Sequence, residues 1–391
     1  MHLFIIDLFI SLDTLAPVIN KLNNHKKSTS IYFVNPFQNF SKHKLIGFLN
    51  KNELNKTNNF LCLGFRNRSF YFFLKIIMTL PNFILLRLFK FWNYIYHNKD
   101  FFSEKELTEF FKKNNFKTVT IENSLNKKRK VKIINVCNKL NIPIINIASG
   151  LFTVKKKEKI DLDNFDKIDF FLTPNLFAPY QEYILNSKKF KLVGSPRYDE
   201  EWIDTLNKIY MEKYINKNPE NRINVVFFQR TTAYNFNEQL NLFNRIKNLD
   251  IVNLRTGNKP REIVPLKISL FGQDKFNTTE LINWADIVVS SATSILVESV
   301  QKNKLTICLE YLQPEKDNYA SFFSDYPKIT KIASSDNDVI KSIVEFKQNK
   351  KINKINQDDL NDFYKSFIYK KDNQSNILDN IINIYLNINY N

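Results

Sequence analysis

FNTTELINWADIVVSSATSILVESVQKNKLTICLEY, residues Phe276 to Tyr311, is the stretch that decides the fold. Thr278-Thr279 followed by Glu280 offers an N-cap ahead of the apolar positions Leu281, Ile282 and Ala285. Asp286 opens a β-branched run, Ile287-Val288-Val289, whose two-sided apolarity suits a strand covered on both faces. The polar cluster Ser290 to Ser294 comes next. Ile295, Leu296, Val297 and Val300 then carry a helix to Lys302-Asn303, and Leu305 to Leu309 reads as the following strand. The pattern is helix, strand, turn, helix, strand: a βαβ unit of a parallel sheet.

In such a unit the chain turns at the carboxyl end of the strand, where open α/β sheets bind ligands, and the leading N–H groups of the new helix attract phosphate. Ser290, Ser291, Thr293 and Ser294 supply small hydroxyls there, and Glu298, one turn into the helix, is placed to accept from ribose hydroxyls. The same residue types also begin helices simply as caps, so both readings stand at this point.

The alternation extends outward in both directions. MHLFIIDLFISL, the opening twelve residues, reads as a first strand, because it lacks a basic flank and carries Asp7 inside its apolar run. Leu12 to Leu22 reads as a helix, Ile31 to Val34 as a strand and Phe60 to Gly64 as another. Glu106 to Lys113 (helix), Thr118 to Glu122 (strand), Lys132 to Leu140 (helix) and Ile142 to Ile147 (strand) continue the series. The loop Ala148-Ser149-Gly150 then lies at a strand's carboxyl end. Asp169 to Asn175 is a further strand and turn. In Val193-Gly194-Ser195-Pro196-Arg197-Tyr198-Asp199, Gly194 relieves a tight turn and Pro196 stiffens the backbone after it, so Arg197 and Asp199 stand on a rigid loop. Ile223 to Phe228 restarts the pattern, with Gln229-Arg230-Thr231-Thr232 as its loop, Glu238 to Leu249 as a helix and Ile251 to Leu254 as a strand. Arg255 to Arg261 reads as a loop with a glycine and several cations, suited to a diphosphate or merely solvated. A helix near Asp336 to Gln348 and a helical tail close the chain.

With 391 residues, two domains are expected, 1–205 and 206–391, which the resemblance drawn below makes the acceptor side and the donor side. The net charge of +18 implies attraction to polyanions or to an anionic membrane surface. The segment Ser69 to Lys99, rich in aromatic residues with interspersed Lys75, Arg87, Lys90 and Lys99, fits a pair of interfacial helices at such a surface, or equally buried helices with snorkelling cations. No basic helix elsewhere interleaves stacking residues, so nucleic acid is not expected as a partner. Cys62, Cys137 and Cys308 are far apart and read as buried small hydrophobes. With four scattered histidines they build neither a disulfide framework nor a metal centre, which places the chain in the cytoplasm, peripheral on the inner face of the plasma membrane.

Two successive strand–helix halves resemble the twin Rossmann-like domains of GT-B glycosyltransferases, an α/β class in which the two domains face a central cleft. Three places carry the resemblance. Gly194 to Asp199 looks like the "G-x-P-R-x-D" turn of the capsular-polysaccharide and CDP-glycerol glycerophosphotransferase-like group, Trp284 to Ser294 with Glu298 like its donor-site signature, and Ile142 to Gly150 like its "G-x-P-x-x-x-x-x-H-G" strand and loop. Ser149 stands where many relatives carry histidine, and Lys259-Pro260-Arg261 where the group often has "K-x-H-P". The resemblance implies metal-independent transfer from a nucleotide sugar, a substrate rather than a cofactor, to a surface-glycan or lipid-linked acceptor. Arg230 and Lys259 would hold phosphate, Ser290, Ser291, Thr293 and Ser294 would form the cradle, and Glu298 would bind ribose. Ser149, Gly150, Gly194 and Arg197 would line the cleft. Asp7, Glu122 and Asp199 are the candidate bases, Asp199 having a structural alternative in pairing with Arg197. A polyol-phosphate phosphotransferase and a catalytically silent binding subunit of the same fold remain alternatives.

Overall fold

The computed structural model describes residues 1–7, 9–34, 43–51, 103–123, 125, 127–148, 165–174, 187–210, 222–229, 236–258, 278–312, 322–349, 355–368 and 376–388. The strand expected at Phe60 to Gly64, the aromatic segment Ser69 to Lys99, and Cys62, Ser149, Gly150, Arg230 and Lys259 lie outside these residues.

The first half runs β1 (His2–Ile6), α1 (Phe9–Asn24), β2 (Thr29–Phe33), α2 (Lys44–Lys51), α3 (Glu104–Asn114), β3 (Thr118–Glu122), α4 (Lys127–Lys139), β4 (Ile144–Ile147), β5 (Phe170–Thr173) and β6 (Phe190–Leu192). Its strands form one parallel sheet in the order β2-β1-β3-β4-β5-β6. Both faces are covered: Phe4 and Ile6 enter one core while Leu3 and Ile5, alternating with them, enter another. The opening stretch departs from expectation, because the strand stops at Ile6 and α1 begins at Phe9. A short apolar run fits strand or helix equally, and here Leu12 continues the helical spacing of Leu15, Ala16 and Ile19 on the same core.

The 3₁₀ turn Pro196–Tyr198 and α5 (Glu200–Tyr210) lead to the second half: β7 (Ile223–Gln229), α6 (Phe236–Lys247), β8 (Val252–Asn258), α7 (Thr278–Trp284), β9 (Ile287–Ser290), α8 (Ser294–Gln301), β10 (Leu305–Leu309), β11 (Lys331–Ala333), α9 (Asp336–Gln348), α10 (Gln357–Phe363) and α11 (Ile377–Leu386). The second sheet is parallel in the order β11-β10-β9-β7-β8. β8 is longer than its apolar pattern suggests. Parallel pairing with β7 continues in register from Ile223↔Val252 to Gln229↔Asn258, which draws Arg255 to Asn258 out of the expected loop and into the ladder. Gly257 is required there by packing, since a Cβ would stand 2.2 Å from Cε1 of Phe228. The Arg255 guanidinium lies over the Trp284 ring at 4.5 Å.

With only six glycines in the chain, helices end on asparagine. Asn115, Asn141 and Asn303 adopt the left-handed conformation just past α3, α4 and α8, at φ 46°, 53° and 53°. Gly194 is the exception that asparagine could not replace. At φ +87° it already sits outside the usual range, and a Cβ would come within 2.9 Å of the Ile368 carbonyl oxygen.

The halves share a core. Phe4, Ile6 and Leu172 of the first sheet, Trp202 of the connector, Val226 and Val288 of the second sheet, and Tyr385 of α11 belong to one contiguous apolar cluster. α11 lies against α1, with the Tyr385 hydroxyl 2.7 Å from Thr120 Oγ1, and Lys21 of α1 reaches Glu201 at 2.6 Å and Asp379 at 3.1 Å. Asp199, 1% exposed, accepts from the backbone N–H of Glu201 at 3.1 Å and of Leu378 at 3.0 Å. It thus ties the connector to the start of α11.

Asp199→Ala leaves the buried Leu378 N–H and the half-buried Glu201 N–H without this acceptor and is expected to lower the unfolding free energy by roughly 1–3 kcal/mol, with Asp199→Asn losing less because one acceptor oxygen remains. Equal denaturant midpoints for the two variants would contradict this. His2 supplies a second test. Its Nδ1 is 2.9 Å from Thr118 Oγ1, and burial, reinforced by the N-terminal ammonium, Lys117 and Lys27, lowers its pKa from 6.5 to about 4. The unfolded chain therefore takes up the proton first: stability is unaffected by His2 above about pH 6.5 and falls as pH drops towards 4, by on the order of 3 kcal/mol. Chemical unfolding at about pH 7 and about pH 4.5 should show a larger loss for the natural chain than for His2→Asn.

Candidate functional site

β9 ends at Ser290 and the chain turns through Ser291, Ala292 and Thr293 into α8. Parallel partners on both sides, β10 through Cys308↔Ser290 and β7 through Phe228↔Ser290, fix the position of this turn at the carboxyl edge of the second sheet. Thr293 has the extended N-cap backbone (φ −145°, ψ 162°), yet its hydroxyl makes no cap bond. It lies 3.4 Å from the Ser290 hydroxyl instead. Ser291 is 4% exposed, and its Oγ has no hydrogen-bond partner among the described residues. A buried hydroxyl left unsatisfied is unfavourable, so this one is arranged for something other than capping α8.

The connector packs directly on the turn. The Tyr198 hydroxyl donates to the Ser294 carbonyl at 3.1 Å, and Gln301 Nε2 donates to the Tyr198 carbonyl at 3.3 Å. Arg197 extends a guanidinium nitrogen to 3.8 Å from Glu298 Oε2. The other Glu298 oxygen accepts from Thr279 Oγ1 at 3.0 Å and faces Lys302 Nζ at 3.8 Å. Thr279, expected to cap α7, thus serves the carboxylate of α8. Lys302 is itself steadied by Asn283 Oδ1 at 2.7 Å and by Asn207 Oδ1 of the connector helix α5 at 3.2 Å.

The first half contributes charge to the same place. Burial raises the pKa of Asp13 on α1, while Arg197 and His43 pull it down and Glu298 pushes it up. Burial also lowers the His43 pKa, against the opposing pull of Asp13. Leu45 N–H donates to His43 Nδ1 at 3.3 Å, so the neutral ring carries its proton on Nε2. Burial works against the Arg197 cation, yet Tyr198, Asp13 and Glu298 hold its pKa above the ordinary value. The Tyr198 phenol is pushed up to about 12, chiefly by burial. Beside this group, Lys44 of α2 pairs with Glu280 of α7 at 3.1 Å across the two halves and stands 5.1 Å from the centre of the Tyr210 ring.

Among the residues expected at the site, Ser290, Ser291, Thr293, Ser294, Glu298, Arg197 and Gly194 fall on this turn and the connector against it. Asp199 lies on the same connector with its oxygens committed to backbone. Glu122, 1% exposed, ends β3 and accepts from Ser11 Oγ at 2.9 Å; Asp7 is ion-paired with Arg129 at 3.2 Å. Asp13, His43, Tyr198, Thr279 and Lys302 were not singled out from the sequence. A lone acid in the apolar α1 sequence FISLDTLAPVIN was the available signal for Asp13. Nothing local marked the others. Among the described residues no group of three or more histidine, cysteine or acidic side chains is placed to hold a metal ion.

No protein-family model matches the chain, and no curated protein does. Solved structures do. The UDP-GlcNAc 2-epimerase from Neisseria meningitidis, bound to UDP-GlcNAc, superposes with a TM-score of 0.58 over 98% of this chain and 99% of its own, at 13% identity. S. aureus MnaA in its UDP co-structure gives 0.57 over 99% and 97%, at 10% identity. The glycotransferase of kitacinnamycin gives 0.50 over 93% and 94%, at 8% identity. The architecture is therefore the one the sequence pattern implied, two Rossmann-like domains of GT-B type.

Glu298→Ala should remove the carboxylate shared by Arg197 and Lys302, leaving Asp13 to act on Arg197, and destabilise the protein by about 3 kcal/mol, the low end for breaking a buried ion pair because both contacts are long. The double variant Glu298→Ala/Arg197→Met should recover part of that loss in a denaturant titration. No recovery would show that the pair is not coupled.

Proposed function

We propose that the chain is an enzyme acting on nucleotide sugars, and specifically a metal-independent glycosyltransferase of surface-polysaccharide or lipid-linked glycan synthesis, of the capsular-polysaccharide type that its motifs resemble. The observation that carries this reading is the unpartnered Ser291 hydroxyl, buried at the start of a helix whose cap side chain is turned elsewhere. A diphosphate oxygen is the ligand that would satisfy that hydroxyl and the leading N–H groups of α8 together. Glu298, one turn further along, would take the ribose hydroxyls.

In the proposed reaction the acceptor's hydroxyl oxygen bonds to the anomeric carbon as the bond from that carbon to the diphosphate breaks. The nucleotide leaves with the electron pair, and the N–H dipoles of α8 with the Ser291 and Ser294 hydroxyls stabilise the charge it gains. The acceptor's proton goes to a base on the first half. Asp13 is a described carboxylate there on which Arg197 and Glu298 both act by charge, and burial raises its pKa, as a base requires. Asp7 and Glu122 are engaged by Arg129 and Ser11.

A second reading, inversion at a sugar carbon of the bound nucleotide sugar, is supported by the whole-length likeness to UDP-GlcNAc 2-epimerases. The two differ in product. With UDP-GlcNAc, transfer releases UDP when an acceptor is added, whereas epimerisation yields a second nucleotide sugar and no free UDP.

A thermal-shift panel of UDP-, CMP-, GDP- and CDP-linked compounds should raise the melting temperature for at least one nucleotide, by an amount equivalent to about 2.7 kcal/mol at a hundredfold excess over Kd. Ser291→Ala should melt no lower than the natural chain without ligand, having lost an unsatisfied buried hydroxyl, and yet respond less to the nucleotide. A panel without any shift, or an undiminished response in Ser291→Ala, would remove the basis of the reading.

A further inference from the structure

α4, residues Lys127–Lys139, carries six basic residues and no acidic one. α9 has the same length and carries three acids and two bases, so the positive charge is concentrated by position and is not spread evenly by composition. Four of the cations occupy the first turn of α4, at the positive end of its own dipole, and Lys128 and Lys132 face each other at i, i+4. Both arrangements are unfavourable for an isolated helix. The buried side of α4 holds Arg129, Ile133, Ile134, Val136 and Cys137. Opposite it, Lys128, Lys132, Asn135 and Lys139 recur at i, i+4, i+7 and i+11, a row about 16 Å long at 1.5 Å per residue.

The row is widened by its neighbours. Lys167 Nζ donates to Asn135 Oδ1 at 3.3 Å, and Asn138 Nδ2 to the Lys167 carbonyl at 3.2 Å, which seats residues 165–167 against α4. Lys189 Nζ donates to the Asp166 carbonyl at 2.5 Å and brings the exposed Lys188 alongside. Lys128, Lys139, Lys167 and Lys188 are exposed, and Lys132 and Lys189 partly so. Asp166 and Asp169 are the acids at residues 165–169 beside them, Asp169 accepting from the Ile144 N–H at 2.7 Å.

We infer that this lysine ridge is a docking surface for an anionic lipid bilayer. The chemistry of the ridge favours lipid over nucleic acid. Its cations are lysines, compact and strongly hydrated charges suited to a diffuse headgroup layer. The arginine of α4, Arg129, is buried against Asp7 and offers no fork to a phosphate, and no aromatic residue occurs between Lys127 and Lys139 to stack on a base. Among the described residues no helix is long and apolar enough to cross a membrane. The surface stands whichever nucleotide chemistry the cleft performs.

Flotation of the full-length protein with vesicles tests it. Phosphatidylcholine vesicles containing about a third phosphatidylglycerol should carry the protein at low salt and release it at high salt, and pure phosphatidylcholine vesicles should not carry it. Replacing Lys128, Lys132, Lys139 and Lys167 together by glutamine should reduce partitioning by about a hundredfold or more, at roughly fivefold per lysine. A control with Lys328, Lys331, Lys341 and Lys347 replaced by glutamine, equal in charge and remote in sequence, should lose far less; circular dichroism melting of both checks that they are folded. Absence of binding to the anionic vesicles, equal loss in the two variants, or ridge-dependent binding of a poly-uridine RNA in place of vesicles would each overturn the inference.

Discussion

Arg197 stands between the two halves of the molecule, with the Glu298 carboxylate 3.8 Å away on the second and the charge of Asp13 acting on it from the first. The arrangement is possible because the connector is stiff. Gly194 at φ +87° turns the chain under Ile368, Pro196 opens a single 3₁₀ turn, and Asp199 fastens the far end by accepting two backbone N–H groups. A flexible connector would spend much of its time elsewhere. Here the loss of freedom is incurred on folding, which fixes the guanidinium against Glu298.

The site built on that connector combines neutral donors with compensated charge. Glu298 is surrounded by Thr279, Lys302 and Arg197, so its carboxylate remains an acceptor despite being 8% exposed. Buried ions require such company, because an isolated one loses several kcal/mol of hydration. The turn before α8 is the reverse case. Ser290, Ser291 and Thr293 are more deeply buried still, yet Ser291 is left without a partner among the described residues and Thr293 declines to cap. Ser291 Oγ is one of several buried polar atoms without a partner among the described residues, with Thr14 Oγ1 and Ser195 Oγ; it is the one that stands at the N-terminus of an α-helix.

The shared core explains why the halves are held in one relation. α11, the last described helix, returns to α1 and β3 and buries Tyr385 against Phe4 and Thr120. Apolar area is thereby removed from water on both sides of the connector, and the ion contacts of Arg197 and Lys44 between the halves are positioned by that packing. They do not produce it. Surface and interface charges contribute little by themselves, whereas the burial of Trp202, Tyr385 and their neighbours is the larger effect.

The sequence by itself determined the class and the longer strands, whereas the three-residue strands β6 and β11 carried no local signal. Two-sided apolar runs such as Ile287 to Val289 and Ile144 to Ile147 admit little but a covered parallel sheet, and the polar turn after Val289 was legible as a helix start because its residue types are local signals. It also determined that Gly194 marks a special turn. Tertiary structure decided what a local pattern cannot carry. β8 is extended past its apolar residues because β7 offers a partner for each of them, and Thr279 leaves its capping role because a carboxylate from another helix arrives within 3.0 Å. Asp13 gains its place beside Arg197 and Glu298 only when the two sheets close on the connector, residues far apart in the chain being brought together by burial of the common core. Proximity of that kind has no signature in the spacing of residues, since it is set by the packing of whole elements.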